Sequence, residues 1–414
     1  MGSRKRPLSV ARLVGYTVVT GGIALGGVLL FNAVGHRSVE STAVASSAAT
    51  IETAKKFVDE GKTAEARDLL SQIAARGKKD ASAPAALMLM AKLDQAEGKT
   101  DQAIAGLHKA ATEFPDSPNR PEAALAYARL IENAGNTDEA LAIYKEIQNS
   151  APPEIRARAL TGLGSDAERR KDLLAARDLY ERACADSPWN SEGWNEALDA
   201  LGRTNVALIF APAATPDSKT YTVGKRDNLN VIGIKLNTTQ GLLMKANGVN
   251  ENTVLQQGQT LKYTPKDFHI VIERSTCRLF LLDKKGVFKR YSTGLGMPGH
   301  ETALGSFKIG DKQKDPIWHK PGEGPIPAGD PRNELGTRWM PLVPVVEGLP
   351  TDLGIHGTIA PETIGKFASH GCARLHKEDI EELYDLVVRS TPVDIVDVYD
   401  PKGTTQNADS SRPT

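Results

Sequence analysis

The sequence predicts a multidomain chain of α and β parts: an N-terminal transmembrane helix, an α-helical repeat solenoid, a small βααβ module and a β-rich domain. Three observations predict it. An uncharged run from Leu13 to Gly35 follows Arg4, Lys5, Arg6 and Arg12. A six-residue pattern recurs every 37 residues between Gly61 and Ala140. From Phe268 onward, apolar and polar residues alternate as in strands.

The bulk properties fit this division. A chain of 414 residues holds roughly two to four domains. With 40% hydrophobic and 25% charged residues it has a globular composition. Lysine plus arginine equals aspartate plus glutamate, 51 against 51, so no global charge points to nucleic acid as a partner. Cys184, Cys277 and Cys372 are an odd, widely spaced set without a CxxC pair, which is neither a disulfide framework nor a zinc or redox motif.

The uncharged run is long enough to span. At about 1.5 Å per residue it reaches roughly 35 Å, against a bilayer core of about 30 Å. Its basic flank keeps the N-terminus in the cytoplasm and places the remainder outside. Residues 1–36 are therefore expected to be a signal anchor inserted in the membrane, and residues 37–50, rich in Ser, Thr and Ala, a tether. Ala43-Val44-Ala45 has the small residues of a cleavage site, which is the competing reading.

Residues 51–203 carry the repeat. Gly61-Lys-Thr-Ala-Glu-Ala66, Gly98-Lys-Thr-Asp-Gln-Ala103 and Gly135-Asn-Thr-Asp-Glu-Ala140 are followed by a degenerate fourth copy, Lys171-Asp-Leu-Leu-Ala-Ala176. After each alanine, apolar positions such as Leu69, Leu70 and Ile73 fall at helical spacing. Pro115, Pro152 and Pro188 mark where helices must stop. The pattern resembles the tetratricopeptide repeat, whose helix pairs stack because one pair cannot bury its own apolar face. It implies either a rigid spacer or a docking surface for a protein partner.

After a proline-containing linker, residues 220–265 read as strand, two short helices and strand. The segments Tyr221-Thr-Val, Asp227-Asn-Leu229, Ala246-Asn-Gly248 and Gly258-Gln-Thr-Leu261 carry this pattern. It resembles a LysM module, with Asn228 where Thr or Ser is usual and Gln257 in place of a proline. The resemblance implies binding to glycan containing N-acetylglucosamine, most simply peptidoglycan.

The chemistry lies in residues 268–399. His269–Glu273, Arg278–Leu282 and Val287–Tyr291 alternate as strands, and the Pro- and Gly-rich segment 309–350 is expected to form long loops around a site. Ile355-His-Gly-Thr358 is followed by Ser369-His-Gly-Cys-Ala-Arg-Leu375. Acyl transfer by cysteine needs a thiol, an imidazole to take its proton, a partner for the second imidazole nitrogen, and amides for the oxyanion. Cys372, His356, Gly357 and Gly371 supply residues of those types.

This string resembles the L,D-transpeptidase catalytic domain of the YkuD type. The resemblance implies Cys372 as nucleophile and His356 as base, with the Gly357 carbonyl orienting the imidazole. It also implies the amides of Gly371 and Cys372 at the oxyanion, and Ser369, His370 and Arg374 shaping the substrate site. Ser292-Thr-Gly294, Gly305-Ser-Phe307, Asn333-Glu-Leu-Gly-Thr-Arg338 and Thr391-Pro-Val-Asp-Ile395 extend the likeness. Thr302-Ala-Leu-Gly305 departs from the usual T-P-x-G, which bears on the stiffness of that loop. His356, His370, Cys372 and His376 are metal-binding types, but their spacing matches no zinc pattern, so neither metal nor organic cofactor is expected. Cys184 and Cys277 read as structural, with a disulfide between them left open.

The expected function is that of a peptidoglycan L,D-transpeptidase in the cell envelope, held at the cytoplasmic membrane with its catalytic domain outside. Water in place of an amine would make the same acyl-enzyme an L,D-carboxypeptidase or a hydrolase that detaches wall-linked proteins. A wall-binding scaffold with weak catalysis is the rival of another class. Residues 400–414 are polar and expected to be a disordered tail.

Overall fold

The computed structural model describes residues 50–320 and 322–401. The expected membrane helix, nearly all of the tether and the tail beyond residue 401 lie outside the described residues. Among the described residues, no helix is long and apolar enough to cross a membrane. The chain divides into two compact units, Met1–Ala159 and Leu160–Thr414.

In the first unit residues 50–59 are helical, followed by α1 (Thr63–Ala75), α2 (Ala83–Ala96), α3 (Thr100–Thr112), α4 (Arg120–Asn133) and α5 (Thr137–Ser150). The helix α6 (Pro153–Arg169) runs across the unit boundary. The recurring glycine ends a helix. Gly61, Gly98 and Gly135 have φ of 73°, 73° and 96°. At Gly98 its own amide donates to Gln95 O at 3.0 Å and that of Lys99 to Asp94 O at 2.7 Å, the double bond of a left-handed helix stop. Ala66, Ala103 and Ala140 are fully buried, and Leu70, Leu107 and Tyr144 lie one turn further on the same face.

The second unit opens with the end of α6, then α7 (Leu173–Asp186) and α8 (Glu192–Phe210). The last repeat helix thus continues past Arg203. Here the stop is made by Lys171, at φ 65°, with Asp172 N donating to Ala167 O at 2.9 Å. A Cβ is disfavoured in this conformation, whereas the three earlier repeats use glycine.

The module that follows consists of β1 (Lys219–Thr222), α9 (Leu229–Leu236), α10 (Gln240–Asn247) and β2 (Thr260–Tyr263), with β1 and β2 antiparallel. Val223, Leu229, Ile232, Leu243 and Leu261 form its core. Asn228 serves as the cap of α9, its side-chain oxygen accepting from Val231 N at 2.9 Å, so the departure from Thr or Ser keeps the capping chemistry.

The β-rich part is a nine-stranded mixed sheet. Along its main path the order is β14 (Ala373–Arg374), β12 (Gly354–His356), β11 (Arg338–Pro344), β7 (Gly305–Ile309), β15 (Pro392–Val396), β3 (His269–Glu273), β4 (Arg278–Asp283) and β5 (Gly286–Ser292). β8 (Gln313–Lys314) joins at β11, while β6 (Leu295–Gly296) with β13 (Phe367–Ser369), and β9 (Trp318–His319) with β10 (Pro325–Ile326), form separate pairs. The expectation of loops throughout 309–350 is corrected by β11. Its residues 339–341 pair with β12 and 342–344 with β7, so Pro341 and Pro344 need not complete a two-sided ladder.

Repeat helices, module and sheet share one unit because they share cores. Trp194, Leu198 and Leu201 of α8 pack with Val271 and Phe280 of the sheet. On the other sheet face Ile270, Ile272, Leu279 and Leu281 join Ile380, Leu383 and Leu386 of α11 (Lys377–Leu386), together with Leu242 and Ala246 of α10. Lys262 of β2 donates to Leu208 O at 3.0 Å and also to Ala211 O, satisfying carbonyls at the end of α8. Lys245 pairs with Asp385 at 2.8 Å.

Lys171 gives a direct test of the repeat stop. Lys171→Gly removes the Cβ from a left-handed position and should raise unfolding stability by about 1 kcal/mol. Chemical denaturation of the full chain measures it, and an unchanged or lowered midpoint would contradict this account.

Candidate active site

The site is built where β12 and β14 run parallel, Ile355 opposite Ala373 and His356 opposite Arg374. Residues that pair in register project to the same sheet face. His356, 4% exposed, has its Nδ1 2.6 Å from the Gly357 carbonyl. A carbonyl accepts only, so this nitrogen carries the hydrogen and the other is left bare. Burial, then the Arg374 guanidinium, push His356 down to about 4, against the opposing pull of the Gly357 and Glu334 carbonyls. The imidazole is neutral at neutral pH.

Cys372 sits just before β14 and is half-buried. Its thiol lies 3.8 Å from Asp352 O. Burial raises its pKa, with the Gly354 amide and Arg374 acting in the opposite direction and Asp352 adding to the rise. Among the described residues no hydrogen bond joins His356 to Cys372. At neutral pH the thiol and the imidazole are both uncharged.

Ser369 organises the turn that carries Cys372. Buried at 1% exposure, its hydroxyl donates to Cys372 O at 2.6 Å and accepts from Gly371 N at 3.2 Å. Gly371 has φ of 112°, and a Cβ there would lie 3.1 Å from Leu353. The backbone conformation favours glycine, and a Cβ would also press on a leucine methyl. The Gly371 amide is thus engaged by Ser369, while that of Cys372 has no backbone acceptor among the described residues. His370 points outward, its exposed ring edge-on to His300 with centroids 4.9 Å apart.

Arg374 is 9% exposed and pairs through Nη2 with Glu334 at 2.8 Å, and its buried Nε has no partner. Its backbone is held by Gly294, N to O in both directions at 2.8 and 2.9 Å, and by the buried Thr293 hydroxyl donating to Arg374 O at 2.9 Å. The loop carrying Glu334 is folded around Asn333. That buried amide donates to Pro316 O at 2.9 Å and Pro327 O at 3.1 Å, and accepts from Leu335 N at 3.1 Å. Gly336 then packs against Gly357 and Thr358. Asn333, Glu334 and Thr293 lie in the family-like segments, where the resemblance assigns them no role, and nothing in the sequence singles out Asp352.

Thr302 anchors its loop: it is buried and accepts from Gly296 N at 2.9 Å. All three thiols are free, with Cys184 pushed up to about 12 by burial. Among the described residues no group of three or more His, Cys, Asp or Glu could hold a metal ion.

The depressed His356 pKa makes a stability prediction. Between pH 6.5 and about 4 the unfolded chain binds the proton and the folded chain does not, so stability falls as pH falls. About 3 kcal/mol should be lost across that window, and His356→Gln should flatten it. Urea midpoints at pH 7, 5.5 and 4 measure this, and parallel pH curves for the two proteins would contradict it.

Three family models match: the L,D-transpeptidase catalytic domain over residues 267–395, a tetratricopeptide repeat over 94–163 and the LysM domain over 221–264. Bacillus subtilis YqjB, described as an L,D-transpeptidase, is 32% identical over 136 residues, 32% of this chain and 73% of that protein. Bacillus subtilis YkuD, described likewise, is 30% identical over 183 residues, 42% of this chain and 98% of that protein. A solved L,D-transpeptidase from Mycobacterium smegmatis has 13% identity and a TM-score of 0.26, covering 34% of this chain and 75% of that one. The LysM and catalytic domains together support peptidoglycan as the ligand and a cell-wall or extracytoplasmic place of action. The chain belongs to the L,D-transpeptidase family.

Proposed function

We propose that the chain transfers peptidoglycan stem peptides through a thioester on Cys372, with His356 as the shuttling base. The observation that carries this is a buried, neutral His356, its Nδ1 held by the Gly357 carbonyl, two residues along the β12–β14 register from the level of Cys372. On substrate binding the thiol leaves the Asp352 carbonyl, gives its proton to the bare imidazole nitrogen and attacks the peptide carbonyl. The C–N bond breaks, the leaving amine takes that proton, and a thioester remains. An acceptor amine attacks the thioester, passes a proton to His356, and the sulfur recovers it as the new amide departs. The free Cys372 amide is the first oxyanion donor, with Gly371 contributing when Ser369 releases its long bond. Ser369 fixes the turn, while His370 and Arg374 border the substrate.

The same thioester resolved by water gives the carboxypeptidase or hydrolase outcome, and product identity separates the two. We place the working domain outside the cytoplasm, anchored by residues 1–36, on the sequence features of that segment. The repeats serve either as a rigid spacer or as a docking surface for a protein partner.

Cys372→Ala should fold normally and form no covalent adduct when the full chain is incubated with purified muropeptides, because a methyl group cannot attack a carbonyl. Intact-mass spectrometry reads the result. An adduct persisting in that variant would move the nucleophile elsewhere.

A further inference from the structure

We propose that Trp339 forms an aromatic wall beside the thioester, excluding water and so directing the acyl group to an amine. The inference rests on the acyl-enzyme reading above and adds a residue that decides its outcome. Trp339 is the register partner of His356 on β11, and the two rings lie 5.7 Å apart between centroids at 42°. The far edge of the indole lies over Gly354, where a Cβ would come within 2.3 Å of Cη2. Gly354 is also the residue whose amide faces the Cys372 sulfur. One half-buried side chain therefore packs against His356 and over the glycine whose amide faces Cys372.

Among the described residues the indole N–H of Trp339 has no hydrogen-bond partner, and the buried residues of the sheet core include its neighbours Met340 and Leu342 but not Trp339. Gly354 has no positive φ, so the absence of a side chain there is explained by the ring above it. The two fates of the thioester balance alike: either water or an amine adds to the carbonyl, loses a proton to His356 and expels the sulfur. They differ in which nucleophile reaches the carbonyl, and an apolar wall hinders ordered water there.

The test measures partition, which a merely structural role would not move. The full chain is given a tetrapeptide muropeptide and an amine acceptor, and amide and hydrolysed products are quantified by mass spectrometry. Trp339→Leu should lower the amide-to-acid ratio by about threefold or more while Cys372 still becomes acylated. Trp339→Tyr, which keeps an aromatic ring, should stay close to the unmodified chain and covers the case that the leucine variant misfolds. An unchanged ratio in Trp339→Leu, or a tyrosine variant falling as far as leucine, would overturn the proposal. Absence of any adduct on Cys372 in the unmodified chain would overturn the acyl-enzyme reading, and the inference with it.

Discussion

The pairing of β12 with β14 is the constraint on which the site depends. Two strands of three and two residues, joined by a long excursion, place His356 opposite Arg374 and bring Cys372 level with Gly354. Such short strands cannot hold themselves in register. They are held by neighbours: β11 pairs along β12, Leu375 N donates to His356 O at 2.9 Å, and Gly294 clasps Arg374 from the far side. Ile355 and Ala373, both buried, lock the pair into the sheet core. A shift of one residue would turn His356 to the opposite face.

Electrostatics follow from that geometry. Arg374 is close enough to oppose a second positive charge on His356 and to favour a negative one on Cys372. Burial acts against both charged forms. The outcome is an uncharged thiol and an uncharged imidazole with one ring nitrogen free to accept a proton. Glu334, half-exposed, balances the guanidinium at 2.8 Å and leaves the site close to neutral. Asn333 matters at one remove, because it folds the loop that delivers Glu334.

Much of this was legible in the sequence, and the parts that were not have physical reasons. The repeat was readable because each copy spends a glycine on a left-handed stop and an alanine on a close helix contact, as at Gly98 and Ala103. The catalytic string was readable because Ser369, Gly371 and Cys372 each answer a separate requirement of one tight turn. β11 was hidden by Pro341 and Pro344, which suggest a loop unless the mid-strand change of partner is known. The joining of the last repeat helices and the LysM module to the sheet was hidden too. It depends on Trp194, Leu242 and Lys262 meeting residues far away in the chain, and no local period reports that. The resting of the Cys372 thiol on the Asp352 carbonyl was equally out of reach, since spacing along a chain does not fix a side-chain direction.

The central claim is that His356 rests as an uncharged imidazole with its Nδ1–H donated to Gly357. Nitrogen-15 NMR of the histidine-labelled full chain measures this directly, since ring shifts distinguish the two neutral tautomers from the cation. The account predicts a neutral Nδ1–H tautomer at pH 7 that becomes charged only near pH 4. An imidazolium signal for His356 at pH 7 would contradict it.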